Sequence, residues 1–232
     1  MTDTYRFLSR FAVLTAFFIA ALAVDTAVRA QPITWTVALE PLAIPGMPGL
    51  QSFASAQVDG KIILFGGRLD GLHRRQPPVS FLAADNNTSI WVIDPAAKTV
   101  RSASVNTLPT PLTEQLQSTN MQFHPFGDHL VIIGGYGYSA TAGDHITHPR
   151  ITLVDVRGLA DDIASGRSIT ARFRTIADER FAVTGGYLGA VNDTFLLVGG
   201  QRFDGRYNPM NGPSFTQTYT DAVMRFTIDT SN

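Results

Sequence analysis

An all-β fold built from one repeated sheet unit is what this 232-residue sequence predicts, on three observations. First, three strongly apolar segments run into paired glycines: Lys61-Ile62-Ile63-Leu64-Phe65-Gly66-Gly67, His129-Leu130-Val131-Ile132-Ile133-Gly134-Gly135 and Thr194-Phe195-Leu196-Leu197-Val198-Gly199-Gly200. Their leading glycines are spaced by 68 and then 65 residues. Second, the apolar runs are continuous rather than alternating, as a strand covered on both faces requires. Third, each run is preceded by a partner strand across a connection holding Asp59-Gly60, Gly127-Asp128 or Asn192-Asp193, residues that tolerate the positive φ of hairpin turns. A regular β period of this size points to a radially arranged propeller rather than a sandwich.

At the N-terminus Arg6 and Arg10 precede an uncharged apolar run from Phe11 to Val24, followed by Val28-Arg29-Ala30. This is the pattern of a cleaved export signal, with cleavage after Ala30; the run is shorter than the roughly 20 residues a spanning helix needs. The folded part is therefore expected over residues 31–232, with no stable membrane span after cleavage. Ile33 to Leu39, with Trp35, reads as a fourth strand lying before the first complete hairpin, a closing strand. First strands follow at Ser52 to Val58, Thr119 to His124 and Phe181 to Leu188, the last absorbing the Gly185-Gly186-Tyr187-Leu188-Gly189 stretch, which has no following helix on which to hold a phosphate. Third strands end in aspartate at Ile90 to Asp94, Ile151 to Asp155 and Val223 to Asp229, and fourth strands lie at Thr99 to Val105 and Thr170 to Ile176. Gly158 and Gly166 bracket a short helix over Leu159 to Ser165, read as a surface insertion.

An apolar strand, Gly-Gly, a variable loop and a strand closing on Asp94-Pro95 together resemble kelch repeats. The resemblance covers nearly all of residues 33–229 and implies a kelch-type β-propeller of about three four-stranded blades, like exported bacterial kelch proteins of undefined activity. The Trp that often begins a kelch fourth strand is missing near Arg101 and replaced by Phe173 in the second unit. In such propellers the first and last blades share strands from both chain ends, so the Trp35 strand is expected to pair with a blade outside this chain. The ring is expected to be incomplete in this chain, or, if the chain is complete, to close by self-association. Copper-radical chemistry of the galactose oxidase type, also built on kelch propellers, needs a cysteine-linked tyrosine, and this chain has no cysteine.

Composition narrows the function. Net charge is −1 with scattered Lys and Arg, so no nucleic-acid footprint is present. The absence of cysteine excludes disulfides, thiolate metal sites and a cysteine nucleophile.

The connections from second to third strands are long: about 20 residues after Gly67, about 15 after Gly135 and about 20 after Gly200. They share one face, with only short turns expected opposite. Long loops on a rigid scaffold concentrate binding residues, so this face is the expected ligand site. The candidates are Arg68, Asp70, His73 and Arg74 in the first loop, Tyr136, Tyr138, Asp144 and His145 in the second, and Arg202, Asp204, Arg206, Tyr207 and Asn208 in the third. Arg presents a planar fork of donors to carboxylates or hydroxyls, and Tyr and His present flat faces with polar edges. The same residues also suit turns and internal Arg–Asp pairs. Asp144, His145 and His148 lack a diagnostic metal-ligand spacing, and no metal or cofactor is expected. The sequons at Asn86 and Asn192 are too common by chance to carry an argument. The expectation is a secreted, periplasmic or cell-surface protein binding a polar ligand, a glycan or a protein; the alternative is an enzyme acting on a carbohydrate or sugar acid at the same face.

Overall fold

The computed structural model describes residues 35–70, 80–208 and 214–230. The chain divides into two units, Met1–Pro41 and Leu42–Asn232. In the first, the described residues are irregular and Trp35 is 75% exposed, so no described strand of this chain pairs with them. A lone extended segment has no ladder for its N–H and C=O groups, and a strong β pattern does not substitute for a partner. Ile33, Thr34 and the export signal lie outside the described residues.

The strands of the second unit are, in chain order, β1 (Ala54–Val58), β2 (Lys61–Phe65), β3 (Ser89–Asp94), β4 (Thr99–Ser104), β5 (Gln122–Phe126), β6 (His129–Ile133), β7 (Tyr136–Ser139) and β8 (Asp144–Thr147). They continue with β9 (Arg150–Asp155), β10 (Phe173–Ala177), β11 (Tyr187–Val191), β12 (Thr194–Val198), β13 (Gln201–Gly205), β14 (Phe215–Tyr219) and β15 (Val223–Phe226). Helix α1 (Thr110–Leu116) follows β4 and α2 (Val156–Ser165) follows β9. Three blades result, ordered β1-β2-β3-β4, β5-β6-β9-β10 and β11-β12-β15, all antiparallel. The expected two-residue turns join Val58 to Lys61, Phe126 to His129 and Val191 to Thr194. Asp59, Gly60, Gly127 and Asn192 take the positive φ that such turns demand.

All six paired glycines have left-handed φ, between +61° and +94°. For the first two pairs the reason lies between blades. The Gly67 amide donates to the Ser118 carbonyl at 2.9 Å and the Gly135 amide to the Val183 carbonyl at 3.1 Å, so these two pairs are seated on the entry segment of the next blade. A Cβ at Gly134 would overlap the Val183 carbonyl oxygen, and one at Gly66 the Ser118 carbonyl oxygen. A second ladder repeats at the first strands: Asn120 N donates to Ser52 O at 3.0 Å and Gly185 N to Asn120 O at 3.1 Å. The Thr119 and Thr184 hydroxyls donate to the same two carbonyls.

The core lies between blades as well. Residues of blade one on one face (Ala54, Ile63, Phe65, Ile90, Val92) meet Leu130, Ile132 and Val154 of blade two. The opposite face of blade two (Val131, Ile133, Leu153) meets Leu188, Phe195 and Leu197 of blade three. This explains the continuous apolar runs: successive residues point to opposite faces, and both are covered.

Four expectations need correction. Helix α2 starts at Val156, because the Asp155 carboxylate caps it by accepting from Gly158 N at 2.9 Å, and ends at left-handed Gly166. It is no surface insertion: Val156, Leu159, Ala160 and Ile163 join the first core cluster, so the side expected to carry only short turns also carries this helix. Helix α1 was not anticipated; it buries Leu112 and Leu116 there too. The first strand of blade three begins at Tyr187 instead of Phe181, which lies in a 3₁₀ turn over Glu179–Phe181. Finally, two of the long loops are themselves sheet. Hairpins β7–β8 and β13–β14 join as β14-β13-β8-β7, meeting where Asp204 faces Ile146.

Candidate functional site

The loop-bearing face is thus a small roof of four strands, held to the blades by specific contacts. Between the two hairpins, Thr147 donates from its hydroxyl to Phe203 O at 3.0 Å and accepts from Phe203 N at 2.8 Å. Tyr136, buried beneath, donates from its phenol to Gly205 O at 2.8 Å and accepts from Tyr207 N at 2.7 Å. Burial raises this phenol above its usual range, so it stays protonated. On the other flank, Glu114 of α1 accepts from the Ser139 hydroxyl at 2.8 Å and from the Thr141 amide and hydroxyl at 3.0 and 2.9 Å. Burial pushes this carboxyl up, but those hydrogen bonds outweigh it and hold it below its ordinary value.

The predicted residues divide by environment. Arg68 is only 3% exposed: it forks onto Asp70 at 2.9 and 3.1 Å, reaches Asn86 at 2.8 Å and Leu82 O at 3.0 Å, and lies over the Phe81 ring. Arg68 and Asp70 therefore organise the first loop from within. His73 and Arg74 lie outside the described residues. His145 is buried, with Nε2 donating to Phe81 O at 2.7 Å, and burial pulls its pKa below the usual value. Asp144 accepts from the His145 amide, and Tyr138 meets the His145 ring edge-on. Arg202 pairs with Asp204 at 2.9 Å and Glu179 at 2.7 Å. Arg206 donates to Ser80 O at 2.7 Å, and Asn208 is half-buried beside Tyr207 with its Oδ1 covered. His148 is buried in separate surroundings, where desolvation takes it down to about 4 against the opposing pull of the Glu114 charge. Among the described residues no three metal-ligating side chains converge.

The register of the second hairpin decides what faces inward. Gln201 stands opposite Tyr219, and Phe203 opposite Gln217, so these four share one side of β13–β14; Arg202 and Asp204, opposite Thr218 and Thr216, take the other. The side of Gln201, Phe203, Gln217 and Tyr219 lines an open cavity of about 410 Å³. Its wall is completed by Phe81, Tyr136 and Tyr207, and by Asn120, Thr184 and Gly185 at the inter-blade ladder. Phe81, Tyr136, Tyr207, Phe203 and Phe215 form a continuous set of tilted and edge-on rings, which fixes the aromatic wall. Gln217 Nε2 donates to Gln201 Oε1 at 2.5 Å, which orients both amides and turns the Gln217 oxygen and the Gln201 NH₂ to other partners. Tyr219 at the mouth is exposed.

Of the predicted residues the cavity gathers Tyr136 and Tyr207. Phe81, Asn120, Thr184, Gln201, Phe203, Gln217 and Tyr219 were not singled out. One signal for them stands in the repeat itself. Arg68, Tyr136 and Gln201 are equivalent positions, each bridged to Gln51, Thr119 or Thr184, and Ser52, Asn120 and Gly185 are equivalent entry positions.

No protein-family model matches the chain and no curated protein matches it. Among solved structures, that of YjhT matches with a TM-score of 0.50 at 17% identity, over 77% of this chain and 54% of YjhT. The chain thus spans about half the length of that neighbour. Together with the three successive antiparallel blades, this likeness establishes an all-β propeller architecture, and it is consistent with the kelch resemblance of the glycine pairs.

Proposed function

We propose that this chain is an exported saccharide-binding protein, and that the ligand sits in the cavity between β13–β14 and the inter-blade ladder. The observation that carries the reading is the lining. Rings of Tyr136, Tyr207 and Tyr219 stand beside the amides of Asn120, Gln201 and Gln217 and the Thr184 hydroxyl in a space of about 410 Å³. Flat rings take the C–H faces of a pyranose, and oriented amides pair with its hydroxyls as donors and acceptors together. The volume lies in the range that holds a small ligand. Export rests on the signal-like segment of residues 6–30.

An enzyme acting on a sugar needs a proton donor or acceptor at the reacting atoms. Among the described residues the cavity presents none of the usual carboxylates or imidazoles, while His145 and Asp204 are committed elsewhere. Binding is therefore the reading supported best. A glycan array probed with the purified chain tests it: saccharides should be retained, and calorimetry on the best of them should show Gln217→Ala weakening affinity about tenfold, the ~1.4 kcal/mol of a lost hydrogen-bonded pair. Failure of every saccharide to bind, or an unchanged affinity in Gln217→Ala, contradicts it.

A further inference from the structure

We propose that Arg68, His145 and Arg206 are positioning residues of the cavity: they clamp Phe81 in a strained backbone conformation, so that its ring stands as a wall of the site and meets the ligand. The inference rests on the saccharide reading in its last step, the contact between ring and ligand.

The strain is the first observation. Phe81 has a φ of +52°. For a bulky side chain this left-handed value is an outlier that persists only where the surroundings enforce it. The other described non-glycine residues with positive φ stand in strand-joining turns (Asp59, Lys98, Asn192) or at blade entries (Ser52, Asn120). Phe81 is in neither place. It lies on the return of the first long loop, just before a 3₁₀ turn over Ala83–Asp85.

The second observation is what enforces it. Three successive carbonyls are each taken by a side chain from a different loop. Arg206 Nε, just after β13, donates to Ser80 O at 2.7 Å; His145 Nε2, on β8, donates to Phe81 O at 2.7 Å; Arg68 Nη2, just after β2, donates to Leu82 O at 3.0 Å. A carbonyl only accepts, so the middle contact fixes the His145 tautomer with its proton on Nε2. Ser80 is buried, and its hydroxyl donates to Tyr207 O at 2.8 Å, a further tie to the third loop. The Arg68 guanidinium also lies over the Phe81 ring, 5.1 Å from its centroid. Held in this way, the ring meets Tyr136 and Tyr207 edge-on at centroid distances of 5.1 and 5.9 Å and forms part of the cavity wall.

A loop that had only to close would relax to negative φ at this position. Strain kept at a lining residue, and enforced from three loops at once, is what a wall set in place before the ligand arrives requires. The arms come one from the long connection of each blade, so the clamp forms only when the roof is assembled. Arg68, His145 and Arg206 thus act on the ligand through Phe81 and not by touching it.

Fluorine NMR of the chain carrying para-fluorophenylalanine at position 81 alone tests the clamp. The ligand-free chain should show one narrow resonance displaced from that of the free amino acid, and it should move when a saccharide that binds by calorimetry is added to saturation. In His145→Ala and Arg206→Ala, each shown to be folded by circular dichroism, the resonance should return toward the free position. His145→Gln, which keeps a donor in the place of Nε2, should restore it. By calorimetry His145→Ala should weaken the same saccharide about fivefold, and should have no further effect in a Phe81→Ala background. A resonance at the free position in the otherwise unsubstituted chain, one that ignores a bound saccharide, one undisturbed in folded His145→Ala or Arg206→Ala, or additive losses in the double variant overturns the proposal. A chain that binds no saccharide contradicts the reading of the cavity and removes the ring's contact with a ligand, while the ligand-free spectra still decide the clamp.

Discussion

At the scale of single residues the glycine pairs separate two causes that look identical in sequence. Gly134 and Gly199 have nearly the same φ, +64° and +63°, but a Cβ at Gly134 would overlap the Val183 carbonyl, whereas one at Gly199 meets open space. Gly199→Ala should cost about 1 kcal/mol of backbone strain, and Gly134→Ala at least ~3 kcal/mol, as read by urea unfolding. Equal losses would show that the inter-blade seat does not matter. His148 sets a pH dependence. Its folded pKa of about 4 lies below the ordinary imidazole value of 6.5, so stability is fully present above pH 6.5 and declines as pH falls toward 4. The loss is about 3 kcal/mol and should flatten in His148→Gln. A wild-type unfolding energy level over that window contradicts the burial of a neutral imidazole there. The glycines were legible because a left-handed φ restricts residue type. The roles of Arg68 and Asp70 were not, because the same Arg and Asp either meet a ligand or meet each other, and only the closure of their loop around Phe81 and Asn86 decides.

At the scale of elements, the blade strands were readable and the roof was not. Apolar runs bounded by turn residues locate β2, β6 and β12 to within a residue or two, since burial on both faces leaves little freedom in composition. Hairpins β7–β8 and β13–β14 sit over the blades instead of within them, and their short strands, rich in Gly, Thr and Gln, carry a weak signal. The alternation Phe215-Thr216-Gln217-Thr218-Tyr219 was present, but its meaning depends on which side the cavity lies. The two hairpins meet at a single paired position, so the Thr147 hydroxyl carries much of their connection. Thr147→Val strands both backbone groups of Phe203 and should cost about 2–4 kcal/mol, with faster amide exchange confined to β13 and β14. Exchange that rises equally in all blades would argue against a separately anchored roof.

At the scale of the whole second unit, stability resides between blades. Helix α2 illustrates this, since Leu159 is fully buried in the cluster that joins blades one and two. Leu159→Ala should lower the unfolding free energy by about 2–5 kcal/mol in one cooperative transition, and a separate early transition of blade one would contradict the shared core. The same dependence on neighbours applies to Trp35: a strand pattern records the capacity to pair, and residues 35–41 have no ladder within this chain. It also explains why the cavity escaped sequence reading. Its walls come from the first loop, two blade entries and both hairpins, residues as far apart as Phe81 and Tyr219, which only the radial arrangement brings together.

The claim that this cavity takes a saccharide is tested most directly by saturation-transfer difference NMR on the purified chain with a panel of neutral and acidic monosaccharides. The structure leads us to expect transfer to the ring C–H protons of at least one sugar, strongly reduced in both Tyr219→Ala and Gln217→Ala while the fold is retained. No transfer to any sugar, or transfer undiminished in both variants, would contradict it.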